Sequence, residues 1–110
     1  MIEKTLQDIE ARIKNATAIK DADKRELLQL LATLNAEMVG LAQTHGQQAE
    51  SIARFAAAST HEATRDPVNP RLFRLSVDGL AASVAELEQS HPRLVQVTNA
   101  ICNVLSNWGI

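Results

Sequence analysis

The chain has 110 residues, of which 45% are hydrophobic and only 3% aromatic, and its net charge is −2 at pH 7. This length fits one domain spanning residues 1–110, and the apolar content excludes a disordered tail. Basic residues alternate with acidic ones, so no concentrated basic face is available to bind nucleic acid. No apolar run reaches the length of a membrane span, and the amino terminus lacks the apolar stretch of a signal peptide. We therefore expect neither a nucleic-acid nor a membrane partner.

The composition predicts an all-α protein, because alanine and leucine, both strong helix formers, supply most of the apolar residues. A single cysteine, Cys102, excludes an intramolecular disulfide and favours a cytoplasmic location. The first helix is predicted over residues 2–18. Its apolar positions recur at intervals of four and three, as one face of a helix does: Ile2, Leu6, Ile9, Ile13 and Ala16.

The second predicted helix is unusually long and covers residues 24–64. Asp23 suits its N-cap, and Glu26 follows three residues later as in a capping box. The apolar stripe stays in phase across Gly46, at positions 27, 31, 34, 38, 41, 45, 48, 52, 55 and 59. One continuous helix would be about 60 Å long, too long for a monomer of this size to cover, and so predicts pairing with a second copy. The alternative, in which Gly46 ends the helix in a left-handed conformation, stays open.

Two prolines, Pro67 and Pro70, end helical structure after the long helix. Asn69 is predicted to cap a third helix over residues 70–90, with an apolar stripe of Phe73, Val77, Leu80, Val84 and Leu87. His91 and Pro92 suit the N-cap and first position of a fourth helix, over residues 92–108. Gly109 and Ile110 are expected to close it in a Schellman motif. The prediction is a four-helix bundle with one long second helix, assembled as a homo-oligomer.

The last helix carries no charged side chain after Arg93. Its apolar residues fall on one side and its amide and hydroxyl residues on the other. An uncharged polar face suits either an interaction surface, whose core is depleted in charge, or the central helix of a bundle. The small residues of the long helix add a second candidate surface. The predicted interface residues are Ala49, Ala53, Ala56, Gln96, Asn99, Asn103, Asn107 and Trp108.

No constellation of residues predicts catalysis, a cofactor or a metal site. His61 and Glu62 resemble the start of a zinc-peptidase motif, but residue 65 is arginine where the second histidine is needed. His45 lies on the apolar stripe, a position typical of a core or interface histidine. Cys102 has no neighbouring cation and is expected to be a buried, inert thiol. The chain is therefore not predicted to be an enzyme.

Two segments carry a family resemblance: Ser90-His91-Pro92-Arg93-Leu94, and Leu105-Ser106-Asn107-Trp108-Gly109-Ile110 at the end of the chain. They resemble a family of small bacterial proteins catalogued as a domain of unknown function (number 4404). The resemblance implies an α-helical bacterial protein with no established activity, and so no catalytic residues. Residues 44–67 look like an extension relative to the family, and Trp108 replaces a smaller apolar residue.

The function expected from the sequence is that of a structural or protein–protein interaction module. Self-association is the first expected mode of action, and binding to another protein is the second. The alternative is a helical bundle that binds a small molecule or a metal through His45 and the neighbouring helices.

Overall fold

The computed structural model describes residues 2–17 and 19–108, and in them it contains helices and no strand. The five α-helices are α1 (Ile2–Asn15), α2 (Asp21–Thr44), α3 (Gly46–Ala63), α4 (Pro70–Val84) and α5 (Pro92–Trp108). A 3₁₀ turn, Ala85–Leu87, follows α4 directly. The all-α prediction is confirmed.

The prediction of one long second helix is wrong, because the backbone leaves helical geometry at His45. This residue has φ −135° and ψ 60°, far from the helical values. Its N–H donates to the Leu41 carbonyl at 2.7 Å and closes α2, while its own carbonyl accepts from Ala49 N–H at 3.0 Å and opens α3. Gly46 is the first residue of α3 and has no positive φ, so the left-handed terminator is not found either.

The break at His45 lets α3 pack back against α2. The molecule measures 38 × 24 × 22 Å, so a straight helix of about 60 Å does not fit into it. The uncovered long helix that suggested an oligomer is therefore absent. Any case for self-association has to come from the surface of the folded chain.

Helix α3 lies at the centre of the fold and contacts the other four helices. Its buried side consists mainly of small residues, which allow close approach of its neighbours: Ala49, Ile52, Ala53, Ala56, Ser59, Thr60 and Ala63. The two hydroxyls bond to their own helix, Ser59 Oγ to the Phe55 carbonyl at 2.8 Å and Thr60 Oγ1 to the Ala56 carbonyl at 2.9 Å. The large apolar residues of the predicted stripes on α1, α2, α4 and α5 complete the core.

The helix ends agree with the sequence in part. Asn69 caps α4 as predicted, since its Oδ1 accepts from the backbone N–H groups of Arg71 and Leu72 at 3.1 and 3.2 Å. Asp23 does not cap α2, because the helix begins at Asp21, three residues earlier than predicted, and Lys20 holds the N-cap position. Helix α1 ends at Asn15 rather than at residue 18, and α4 ends at Val84 rather than at residue 90. The predicted Schellman motif lies outside the described residues.

Candidate functional site

The alanine half of the predicted interface is inside the protein. Ala49, Ala53 and Ala56 are at most 2% exposed, and their helix packs against α1 and α4. The break at His45 is the physical reason, because it folds α3 into the centre of the same chain. These three residues are therefore core residues, and their assignment to an interaction surface is corrected.

The polar half of the predicted interface is on the surface. The four amides Gln96, Asn99, Asn103 and Asn107 are exposed along α5, and Trp108 is half-buried at its end. On the opposite side, the apolar residues Leu94, Ile101 and Leu105 are almost completely buried. The division of α5 into an apolar and an uncharged polar side is as predicted. Its use as an interface stays a prediction.

A second exposed surface, which the sequence analysis did not single out, lies on α3 and α4. Three of the four large apolar residues that are exposed in the described chain belong to it: Leu75 at 61%, Leu72 at 42% and Phe55 at 39%. Leu72, Leu75, Gly79 and Ala82 follow each other at intervals of three and four, so they share one side of α4. We call these four residues together with Phe55 the α3–α4 face.

Phe55 and Gly79 join the two helices of this face. A methyl group added at Gly79 would lie 2.6 Å from Phe55 Cδ1, and closer still to Cε1. The phenyl ring therefore lies directly over the glycine, in space that any larger residue would occupy. Ala82 and Glu86 line the same shallow groove. The contact between Phe55 and Gly79 thus joins the exposed side of α3 to that of α4.

An open pocket of about 460 Å³ lies at one end of the bundle. It forms where the α1–α2 and α3–α4 connections meet the end of α5. Trp108, Ile19 and Val68 supply apolar wall, and the charged residues beside them are Lys20, Asp23, Arg65 and Asp66. Its volume lies in the range of small-molecule sites, about 300–1,000 Å³. Cations and anions are equal in number, so the pocket has no clear preference for ligand charge.

The fold brings two of the three histidines together. The rings of His45 and His91 meet edge to face, with centroids 5.6 Å apart and an interplanar angle of 82°. Each Nδ1 is bonded to the preceding hydroxyl, Thr44 Oγ1 at 2.8 Å and Ser90 Oγ at 2.9 Å. Over residues 2–17 and 19–108, no group of three or more histidine, cysteine or acidic side chains is placed to hold a metal. Zinc takes at least three protein ligands, and this pair supplies two.

Cys102 is buried, as predicted. Burial raises the pKa of its thiol to about 11, and the charge of Asp78 contributes in the same direction. The thiol lies 4.0 Å from the Val77 carbonyl, to which it donates. A protonated, enclosed thiol is a poor nucleophile, so the environment gives Cys102 a packing role.

No family model, curated protein or solved structure matches the chain. The resemblance to the bacterial family stays a prediction. Within the part of the chain that the structure describes, no helix combines the length and apolarity needed to cross a membrane. The surfaces themselves are therefore the basis for inferring function.

The sequence did contain a signal for the α3–α4 face. Leu72 and Leu75 lie off the stripe of Phe73, Val77 and Leu80, and two leucines on the outer side of an amphipathic helix are more than packing requires. Phe55 falls on the apolar stripe predicted to continue across Gly46, so the sequence does not distinguish it from the other stripe positions. Once the helix is broken at His45, the phase of the stripe is set separately in each helix.

Proposed function

We propose that this protein is an interaction module that acts by self-association through the α3–α4 face. The observation that carries the proposal is that the exposed Phe55 lies over Gly79, on the side of α4 that also carries the exposed Leu72 and Leu75. Scattered apolar side chains are normal on a soluble protein, but a contiguous group of large ones marks an interaction site. No other helix of the described chain covers these three side chains, which stay exposed.

The hydrophobic effect gives the proposal its direction. Burial of apolar surface contributes about 25 cal/mol per Å². In a two-fold dimer each residue of the face is buried in both copies, so its contribution counts two times. The contact is small, so we expect a reversible dimer rather than an obligate one. A reversible dimer agrees with a chain that already has its own buried core.

Mass measurement in solution tests the proposal. Multi-angle light scattering or sedimentation from micromolar to millimolar concentration is expected to show a monomer–dimer equilibrium. Leu75→Asp places a charge at the most exposed position of the face and is expected to shift the protein to monomer. Val39→Asp is the matched control, because Val39 is 53% exposed on α2, which makes no contact with α4 in the described chain.

Three results would contradict the proposal. One is a monomer at all concentrations; another is a dimer that Leu75→Asp leaves intact. The third is equal weakening by Leu75→Asp and Val39→Asp, which would indicate a non-specific response to added charge. A dimer disrupted instead by Asn99→Glu or Asn103→Glu would move the interface to the amide side of α5.

The end pocket supports a second candidate function, the binding of a small molecule. Trp108 is the only tryptophan of the chain and lines this pocket, so its fluorescence reports directly on occupancy. A screen of small polar and aromatic metabolites against Trp108 emission is the test. A saturable change that Arg65→Ala removes would support binding; no change across the screen would count against it.

A further inference from the structure

The outward side of α4 has opposite charges at its two ends. Arg71 lies at the start of the helix and Glu86 in the 3₁₀ turn that follows it. Both are exposed, and neither makes an ion pair within the described part of the chain. Leu75 and Ala82 lie between them. At 100° per residue, Arg71, Leu75 and Ala82 fall in an arc of about 40°, on the side opposite the buried Phe73, Val77 and Leu80. Glu86 lines the groove beside Ala82.

This arrangement is complementary to itself in only one orientation. If two copies of α4 met in parallel, Arg71 would face Arg71 and Glu86 would face Glu86, which gives two like-charge pairs. If they meet antiparallel about a two-fold axis between Asp78 and Gly79, Arg71 of each copy faces Glu86 of the other. In the same register, Leu75 of each copy faces the small Ala82 of the other, so a large residue packs against a small one.

We propose that two copies of the chain pair through antiparallel α4 helices, with two reciprocal Arg71–Glu86 ion pairs at the ends of the contact. This inference rests on the proposed function and adds to it the orientation and the specificity of the pairing. The backbone rises by about 22 Å from Arg71 to Glu86, from 15 residues at about 1.5 Å each. The ion pairs therefore lie at the rim of the contact, with the apolar residues between them.

The other charges near the axis do not oppose this pairing. Asp78 is the one acidic residue close to the two-fold axis. It lies on the flank of α4 that faces α5, since its charge acts on the Cys102 thiol. Arg74 precedes it by one turn on the same flank, and a cation at this spacing offsets part of its charge. On the other flank, Phe55 extends the apolar contact onto α3.

Charge exchange tests the orientation separately from the association. Arg71→Glu creates a homodimer in which two glutamates meet at each end, and Glu86→Arg creates one in which two arginines meet. For two solvent-exposed pairs that change from attraction to repulsion, we expect the dissociation constant of each variant to rise about tenfold or more at low salt. The rise should largely disappear at 1 M salt, where screening acts over about 3 Å.

Mixing the two variants is the decisive step. A chain with Arg71→Glu and a chain with Glu86→Arg make two favourable pairs with each other, so the mixture is expected to form a heterodimer with the affinity of the unmodified protein. The double variant Arg71→Glu/Glu86→Arg should regain affinity as a homodimer. Arg25→Glu, an equal charge change on α2, is the control and is expected to have no effect. Sedimentation of one fluorescently labelled variant against the other measures the heterodimer, and circular dichroism verifies the fold.

The outcomes separate this inference from the proposed function. If Leu75→Asp dissociates the dimer but the charge variants neither weaken it nor recover on mixing, the face associates in another orientation and the antiparallel pairing is overturned. If the unmodified protein is a monomer throughout, self-association itself is wrong. Weakening by each single variant, together with recovery in the mixture, supports the pairing as proposed.

Discussion

Substitution of Gly79 by alanine measures how firmly Phe55 covers α4. Gly40 and Gly79 lie in the interior of α2 and α4, and neither has a positive φ. Replacing a glycine inside a helix by alanine stabilises the folded state by about 0.5–1 kcal/mol. A methyl group at Gly40 meets nothing within 4 Å, whereas at Gly79 it meets the ring of Phe55. The two substitutions share the gain in helix propensity and differ in the contact.

The magnitude follows from what the ring must give up. Phe55 is 39% exposed, so it can turn towards solvent, and the fold survives. The ring then loses part of its burial. Burial of a whole phenylalanine side chain is worth about 1.5–3 kcal/mol, and a partial loss of about 0.5–1 kcal/mol cancels the propensity gain. We expect Gly40→Ala to raise the free energy of unfolding by about 0.5–1 kcal/mol and Gly79→Ala to leave it nearly unchanged.

A double-mutant cycle isolates this contact. In a Phe55→Ala background the obstacle is absent, so Gly79→Ala should recover the full gain seen at Gly40, and the coupling energy should be about 0.5–1 kcal/mol. Urea denaturation, at a protein concentration where the chain is monomeric, provides the four free energies. Equal stabilisation by Gly40→Ala and Gly79→Ala would refute the reasoning, since it would mean that the ring does not lie over Gly79.

Four further expectations concern single residues. Gly46→Pro should lower the free energy of unfolding by about 1 kcal/mol or less, because proline suits the first position of a helix. Gly40→Pro in the middle of α2 should lower it by about 3 kcal/mol. Similar losses in thermal melts would indicate that the helix continues through Gly46. Thr98→Val should stabilise by about 1 kcal/mol, because Thr98 Oγ1 is buried without a hydrogen-bond partner in the described chain; destabilisation would reveal a partner. Asn69→Ala should destabilise by about 1 kcal/mol through loss of the cap, and an unchanged melting temperature would argue against those bonds. The Cys102 thiol, with its pKa raised from 9.0 to about 11, should react with a disulfide reagent at neutral pH about 100-fold more slowly than an exposed cysteine, and a rate equal to that of the urea-unfolded chain would show that it is accessible.

The helices and most of the core could be predicted because each helix has its own apolar periodicity. Asn69 with Pro70, and His91 with Pro92, also fix where α4 and α5 begin. The break at His45 could not be predicted in the same way. In the sequence the 4–3 alternation can be continued across Gly46 without a gap, and a glycine within a helix costs only about 1 kcal/mol. The energy that decides the matter is the packing of α3 against α1, α4 and α5, which is a property of the whole fold.

The break at His45 explains why the alanines of α3 are buried although they were predicted to form an interface. In a continuous helix the alanines of residues 49–63 would form an exposed ridge that needs a partner molecule. In the folded chain the same alanines are the reason that α3 can contact four helices at once, because small side chains let backbones approach closely. The side of α3 that carries Phe55 then faces outwards, and the phenyl ring lies over Gly79 of α4. An exposed alanine ridge requires a helical conformation at His45, whereas the α3–α4 face requires the break found there, so a test of the break is also a test of where the interface lies.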